Sequence, residues 1–185
     1  HTLVTPTTTL GHIAAIPVLV KDEDCVILDH QVHSSVQGAV NMLKARGIHV
    51  DMIRHNNMEM LERKINELRP KYKNIWYMAD GIYSMYGDGA PIKDIHALLD
   101  KYEQLHFYVD DAHGMSCFGE HGAGYVMQQA PMHRKQVLAI SLAKAFATGG
   151  AVLDFPTFEQ YQLVRSCGGP MNTSGPMQPG NLGAA

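Results

Sequence analysis

Cysteine is scarce in this chain. Only Cys25, Cys117 and Cys167 occur among its 185 residues, far apart and with no C-x-x-C pair. Neither a disulfide framework nor a structural zinc site is suggested, and a reducing cytoplasm is the plain expectation. An excess of charge of one sign is missing too. Fifteen Lys and Arg stand against 18 Asp and Glu, a net charge of −3 with histidines neutral. That balance leaves no electrostatic footprint for nucleic acid or an anionic membrane surface. No apolar run approaches the length of a membrane span, and the first residues carry no signal-peptide pattern. Several catalytic signatures are absent as well. The first strand has no G-x-G-x-x-G after it, and the glycines of "GEHGAGY" (119–125) come in the wrong order for one. "GMSCFG" (114–119) does not match the G-x-S-x-G elbow of serine hydrolases. No H-E-x-x-H is present, although 11 histidines keep a metal-dependent hydrolase among the alternatives.

What is present is a globular composition, 45% apolar and 18% charged, in a chain long enough for one domain with a sizeable core. β-rich apolar runs alternate with helical patterns. "DCVILDH" (24–30), "IHVDMI" (48–53), "NIWYMAD" (74–80), "HFYVD" (106–110), "QVLAIS" (136–141) and "GAVLD" (150–154) read as strands. Between them Val36, Ala39, Val40 and Leu43 share one helix face, closed by Gly47. Met58, Leu61, Ile65 and Leu68 form a second stripe, stopped before Pro70, and Pro91 opens a third through Ile92, Ile95, Leu98, Leu99 and Tyr102. A last helix runs from about Thr157 to Arg165. Met52, Met58 and Met60 read as core filling. The alternation predicts a three-layer α/β/α fold on a mostly parallel sheet, and the continuously apolar strands predict burial on both faces. Two polar, Gly-rich loops, 80–91 and 111–124, interrupt the pattern.

In open α/β sheets, ligands bind outside the carboxyl ends of the strands. Those ends carry Asp29, His30 and His33, then Asp80 and Ser84, then Asp110, Asp111 and His113, and finally Ser141 and Lys144. Each has a plain structural reading. Asp29 and Asp80 could cap a following turn. His33 before Ser34 and Ser35 could begin a helix, and Asp110 with Asp111 could be a turn pair. Lys144 could snorkel along its own stem. Their convergence at one sheet edge is less easily explained that way. A desolvated lysine is an amine nucleophile toward carbonyls. Pyridoxal 5'-phosphate needs such a lysine, an acid facing its ring nitrogen, and hydroxyls or helix N–H groups for its phosphate. "TPTTTLGHIAAIP" (5–17) offers hydroxyls followed by a short helical stretch, and Ser141 adds another hydroxyl.

"VDDAHG" (109–114), "SLAKAF" (141–146) and "DGIYSMYGDGAPI" (80–92), in their order along the chain, resemble the α-oxoamine synthases, fold-type I pyridoxal-phosphate enzymes of the aminotransferase superfamily. The resemblance implies that residues 1–185 are the large, cofactor-binding domain of a longer protein, without its N-terminal segment and small C-terminal domain. It implies Lys144 as the Schiff-base lysine and proton-abstracting base, Asp110 as partner of the pyridine nitrogen, and His113 as donor to the ring's phenolic oxygen. His33, in "DHQVHSS", would stack on the ring, with Ser84 near the phenolic oxygen. Thr8, Thr9 and Ser141 would hold the phosphate, and Thr173 and Ser174 would reach the phosphate of the neighbouring subunit in a homodimer. The implied reaction condenses an amino acid with an acyl-CoA or acyl-carrier thioester, in the cytoplasm, with neither nucleic acid nor membrane as partner. The chain also departs from the family's pattern. Asp80 stands where a glutamate is usual, Tyr86 replaces an acid, Thr8 replaces a glycine, and "KAFATGG" differs from K-x-x-G. An aminotransferase-like enzyme and a non-catalytic partner-binding module on the same fold therefore remain alternatives.

Overall fold

The structure is a computed structural model and describes residues 1–184. An edge strand that the sequence pattern does not announce comes first, β1 (Thr2–Thr5). Helix α1 (Thr8–Leu19) follows, started by Thr7, whose side-chain oxygen accepts from Leu10 N at 3.1 Å. Next come β2 (Cys25–Asp29), α2 (Ser34–Ala45), β3 (His49–Ile53), α3 (Met58–Leu68) and β4 (Ile75–Asp80). Then come α4 (Ile92–Lys101), β5 (Leu105–Asp110), the short α5 (Tyr125–Gln129), β6 (Gln136–Ser141) and β7 (Ala151–Asp154). Three helices close the chain, α6 (Phe158–Cys167), α7 (Gly169–Thr173) and α8 (Pro179–Ala184).

The seven strands form one sheet in the order β1-β7-β6-β5-β4-β2-β3. The central strands β2 to β6 are parallel, while β7 runs antiparallel to both β6 and β1. Strand order reverses at β2, since β3 lies on one side of it and β4 on the other. The crevice of an α/β sheet opens at such a switch point. β2 and β4 are buried throughout, because helices cover both of their faces.

The pleat sends alternate residues to opposite layers. Val26, Leu28, Trp76, Met78, Tyr108 and Ala139 pack in the layer of α1 and α2. Cys25, Ile27, Ile75, Tyr77, Ala79, Phe107 and Val109 pack in the layer of α3 and α4. Met52 is no part of either core. It lies on the edge strand β3 and is 40% exposed. No helix among the described residues is long and apolar enough to cross a membrane.

Candidate active site

Strand register builds the centre of the site. Asp80 and Asp110 are the last residues of β4 and β5 and are paired Cα to Cα. Both continue the parity of Met78 and Tyr108, so both carboxyl groups face the α1 layer. Asp110 is buried, accepting from His12 Nε2 at 2.9 Å and from Ala112 N at 3.0 Å. Asp80 is buried too and accepts from the His33 backbone N–H at 3.0 Å. Two such neighbours cannot both ionise cheaply. Burial, then the charge of Asp110, push Asp80 up to about 8. Burial alone would raise Asp110 as well. His12 and the Ala112 N–H, with the charge of Lys144, outweigh it and hold Asp110 below the usual carboxylate range.

Lys144 follows β6 on the exposed turn 143–147. The sequence suggests a desolvated lysine at the end of a buried strand. Instead the chain leaves the sheet after Ser141, and Lys144 is carried out to solvent. Its Nζ still donates to His113 Nε2 at 2.9 Å. Burial, then the charge of Lys144, lower the His113 pKa, so His113 is the neutral acceptor in that bond. His113 rides the turn after β5, where Gly114 is required. A Cβ at that position would lie 2.1 Å from Asp111 Oδ1.

His33 caps α2. Its Nδ1 accepts from Ser35 N at 3.2 Å and lies 2.7 Å from Ser35 Oγ, while its own N–H ties this loop to Asp80. Ser141 is buried, with its Oγ accepting from Ala143 N at 3.2 Å. Across the sheet edge Ser141 pairs with Ala151, and Ala151 with Thr5. β1 therefore ends on the same edge as β6, and α1 starts there, with Thr8 and Thr9 in its first turn. The carboxyl edge thus gathers Thr8, Thr9, His33, Asp80, Asp110, His113, Ser141 and Lys144.

Other predicted residues are not drawn in. Ser84 lies on an exposed turn, with no hydrogen bond to Lys144, Asp110 or His113 among the described residues. The Thr173 and Ser174 hydroxyls donate to Gly169 O at 2.8 Å and Pro170 O at 2.6 Å, back into α7. Asp29 belongs to the opposite face, in line with Ile27. There it accepts from Gln31 N, His55 Nδ1 and Asn56 N at 2.8, 2.9 and 2.8 Å. Asp111 also turns away and accepts from Val126 N at 3.0 Å. The sequence pattern also passes over His12, which sits within "TTTLGHIAAI" and reads there as one polar residue in an apolar helix.

The chemistry of the gathered donors suits pyridoxal phosphate. An amine stands next to a neutral imidazole, a buried carboxylate is kept charged, and hydroxyls line a helix start on the same edge. No group of three or more His, Cys, Asp or Glu is placed to hold a metal among the described residues.

The family model for aminotransferase class I and II matches residues 1–185. An 8-amino-7-oxononanoate synthase from Thermosipho melanesiensis is 31% identical over 172 residues, covering 93% of this chain and 42% of its own. Another, from Coprothermobacter proteolyticus, is 34% identical over 140 residues, covering 76% and 35%. A serine palmitoyltransferase from S. paucimobilis, solved with bound PLP–myriocin aldimine, matches 100% of this chain and 45% of its own at a TM-score of 0.88 and 25% identity. The chain spans less than half the length of these relatives.

Proposed function

The chain belongs to the aminotransferase class I and II family, and on that premise we propose that it is the large domain of a pyridoxal-phosphate-dependent transferase that condenses an amino acid with an acyl thioester. The observation that carries this reading is the Lys144–His113 bond at 2.9 Å, on the sheet edge where the Asp80–Asp110 pair ends its strands. The relatives' names support the reaction class: they are 8-amino-7-oxononanoate synthases and a serine palmitoyltransferase.

Pyridoxal phosphate, when bound, supplies an aldehyde that captures amines and a ring that draws electrons from the substrate's α-carbon. Lys144 Nζ is the amine presented to it and the base for the α-proton. His113 Nε2 orients Nζ and shares its hydrogen. Asp110 keeps a proton on the ring nitrogen because its own carboxyl stays ionised. Asp80, neutral at pH 7, adds no second charge and holds the loop that presents the His33 ring. The first turn of α1, with Thr8 and Thr9, offers N–H and hydroxyl donors to the phosphate, and Ser141 adds another. Ser84 serves the phenolic oxygen. Thr173 and Ser174 serve the partner subunit's phosphate in a homodimer, releasing the helix carbonyls they now hold. The acyl donor is an acyl-CoA or an acyl-carrier thioester, and the enzyme is cytoplasmic. A longer protein contributes an N-terminal segment and a small C-terminal domain.

In the full-length protein, adding pyridoxal phosphate should produce a visible absorbance band that is lost in Lys144→Ala. A band that persists in the variant overturns the assignment of Lys144. Product analysis with an amino acid and acyl-CoA separates condensation from amino-group transfer.

A further inference from the structure

His12 is fully buried on α1 with both ring nitrogens engaged. Nε2 lies 2.9 Å from Asp110 Oδ2, and Nδ1 lies 2.8 Å from the Tyr108 hydroxyl. The bridge follows from strand periodicity. Positions 108 and 110 point to the same layer, and α1 packs across them, so one imidazole reaches both. The His12 and Tyr108 rings meet edge to face, with centroids 5.6 Å apart.

The hydrogens in this chain can be assigned. A carboxylate only accepts, so Nε2 carries the hydrogen directed at Asp110. Burial, then the charge of Asp110, keep Tyr108 protonated far above the ordinary tyrosine range. Its hydroxyl has no other partner among the described residues. The Tyr108 hydrogen therefore goes to Nδ1, which must be bare to accept it. The opposite tautomer would leave the hydroxyl hydrogen without an acceptor and set the Nε2 lone pair against the carboxylate. Fixing one nitrogen to decide what the other presents is how second-layer partners set a histidine's role.

The consequence falls on the acid pair. Asp80 and Asp110 are side by side, and the donors around each decide which one keeps the proton. Asp110 is faced by His12 from α1, by Asp80 from β4, by the Ala112 N–H from its own turn, and by Lys144 and His113 from the loops above. We propose that His12, its Nδ1 occupied by the Tyr108 hydroxyl and its Nε2–H directed at Asp110, is a positioning residue that fixes the negative charge on Asp110 rather than on Asp80. This rests on the reading of Asp110 as the acid that faces the cofactor ring.

Nitrogen chemical shifts of His12 and carboxyl carbon shifts of Asp80 and Asp110, measured in the full-length protein without cofactor, test the assignment directly. The expected result is an Nε2-protonated imidazole, an ionised Asp110 and a protonated Asp80 at pH 7. Tyr108→Phe should leave the hydrogen on Nε2, where Asp110 holds it, and shift the Nδ1 resonance, which loses its donor. His12→Leu should move the charge toward Asp80. Pyridoxal phosphate is then the probe for the functional arm. Its affinity should fall about tenfold or more in His12→Leu, as for loss of a charge-assisted hydrogen bond. His12→Gln, whose side-chain amide reaches as far as Nε2, should restore most of it. Thermal midpoints of all three variants identify any that fail to fold, and Tyr108→Phe and His12→Gln carry the test if His12→Leu does. An Nδ1-protonated His12, or an Asp110 that stays ionised in folded His12→Leu, overturns the proposal. Failure of pyridoxal phosphate to bind the parent overturns the proposed function, and the carbon and nitrogen shifts then decide the charge assignment by themselves.

Discussion

On the α3 side of the sheet edge, Asp29 is surrounded by donors from its own chain. The Gln31 and Asn56 backbone N–H groups and the His55 ring all reach it within 2.9 Å, and the Tyr77 hydroxyl stands at 3.5 Å. On the α1 side, Asp110 receives two donors and Asp80 one. All three acids end buried parallel strands, and all three are nearly or fully buried. They differ in how much accepting capacity remains. Asp29 spends its lone pairs joining the end of β3 to the loop after β4, since its partner His55 also bonds Asp88 at 2.8 Å. Asp80 and Asp110 keep capacity to spare beside an amine and an imidazole. A saturated buried acid is a fastening, whereas an unsaturated one next to a nucleophile can serve chemistry.

Exchanging the charge at each place breaks this comparison most forcefully. Asp110→Asn should lower turnover of the full-length enzyme by about 10²–10⁴-fold, the range for groups that hold or move a proton in a reaction. Its unfolding free energy should fall by about 1–3 kcal/mol, because the amide keeps the volume but only one accepting oxygen, leaving either His12 Nε2–H or the Ala112 N–H unpaired. Asp29→Ala should act on stability alone. It leaves His55 and two backbone N–H groups without their acceptor, at a cost of about 2–4 kcal/mol in unfolding free energy. The remaining folded fraction should still bind pyridoxal phosphate. If Asp29→Ala removes cofactor binding while the protein stays folded, the two faces are not divided as described.

The comparison also marks how far the residues themselves reveal the site. Six strands and four helices follow from apolar period and punctuation alone, because a doubly covered parallel sheet writes long β-rich runs into its sequence. β1 does not, since "TLVT" is short and gains its identity only by pairing with β7 far along the chain. The carboxyl-edge acids are legible as strand ends, but treating them as one cluster overlooks the pleat. Asp29 shares parity with Ile27, while Asp110 shares parity with Tyr108, and that alone separates the two faces. His12 is hidden for another reason. A histidine in an apolar helix is ordinarily structural, and only the packing of α1 over β5 brings it to Asp110. The exposure of Lys144 is a property of the 143–147 turn, which carries no periodic signal.

A smaller effect concerns Asp80 alone. Its folded pKa of about 8 lies well above the ordinary value of 3.8, so the folded state keeps a proton that the unfolded chain releases. Such a group subtracts stability as pH rises from the ordinary carboxylate range toward 8. Asp80→Asn, neutral at every pH, should remove that loss. The variant's thermal midpoint should gain on the parent's steadily between pH 5 and 8. A constant difference across that range would mean Asp80 ionises normally and that the acid pair is not divided.

The smallest effect should come from the rim of the fastening. Burial opposes protonation of His55, but hydrogen bonds to Asp29 and Asp88 win and raise its pKa. The stability this contributes is fully present below the ordinary histidine range and is lost as pH rises through the raised value. Asp88 is 47% exposed, so solvent screens its share of the pair, and Asp88→Asn should cost no more than about 1 kcal/mol below pH 6. The cost should shrink as pH rises through that raised value, because His55 then loses its charge in both proteins. Cofactor absorbance should be unchanged throughout, since Asp88 belongs to the saturated side of the edge. An altered cofactor band in Asp88→Asn would show that the loop it fastens takes part in the site, and the two faces would then have to be treated as one.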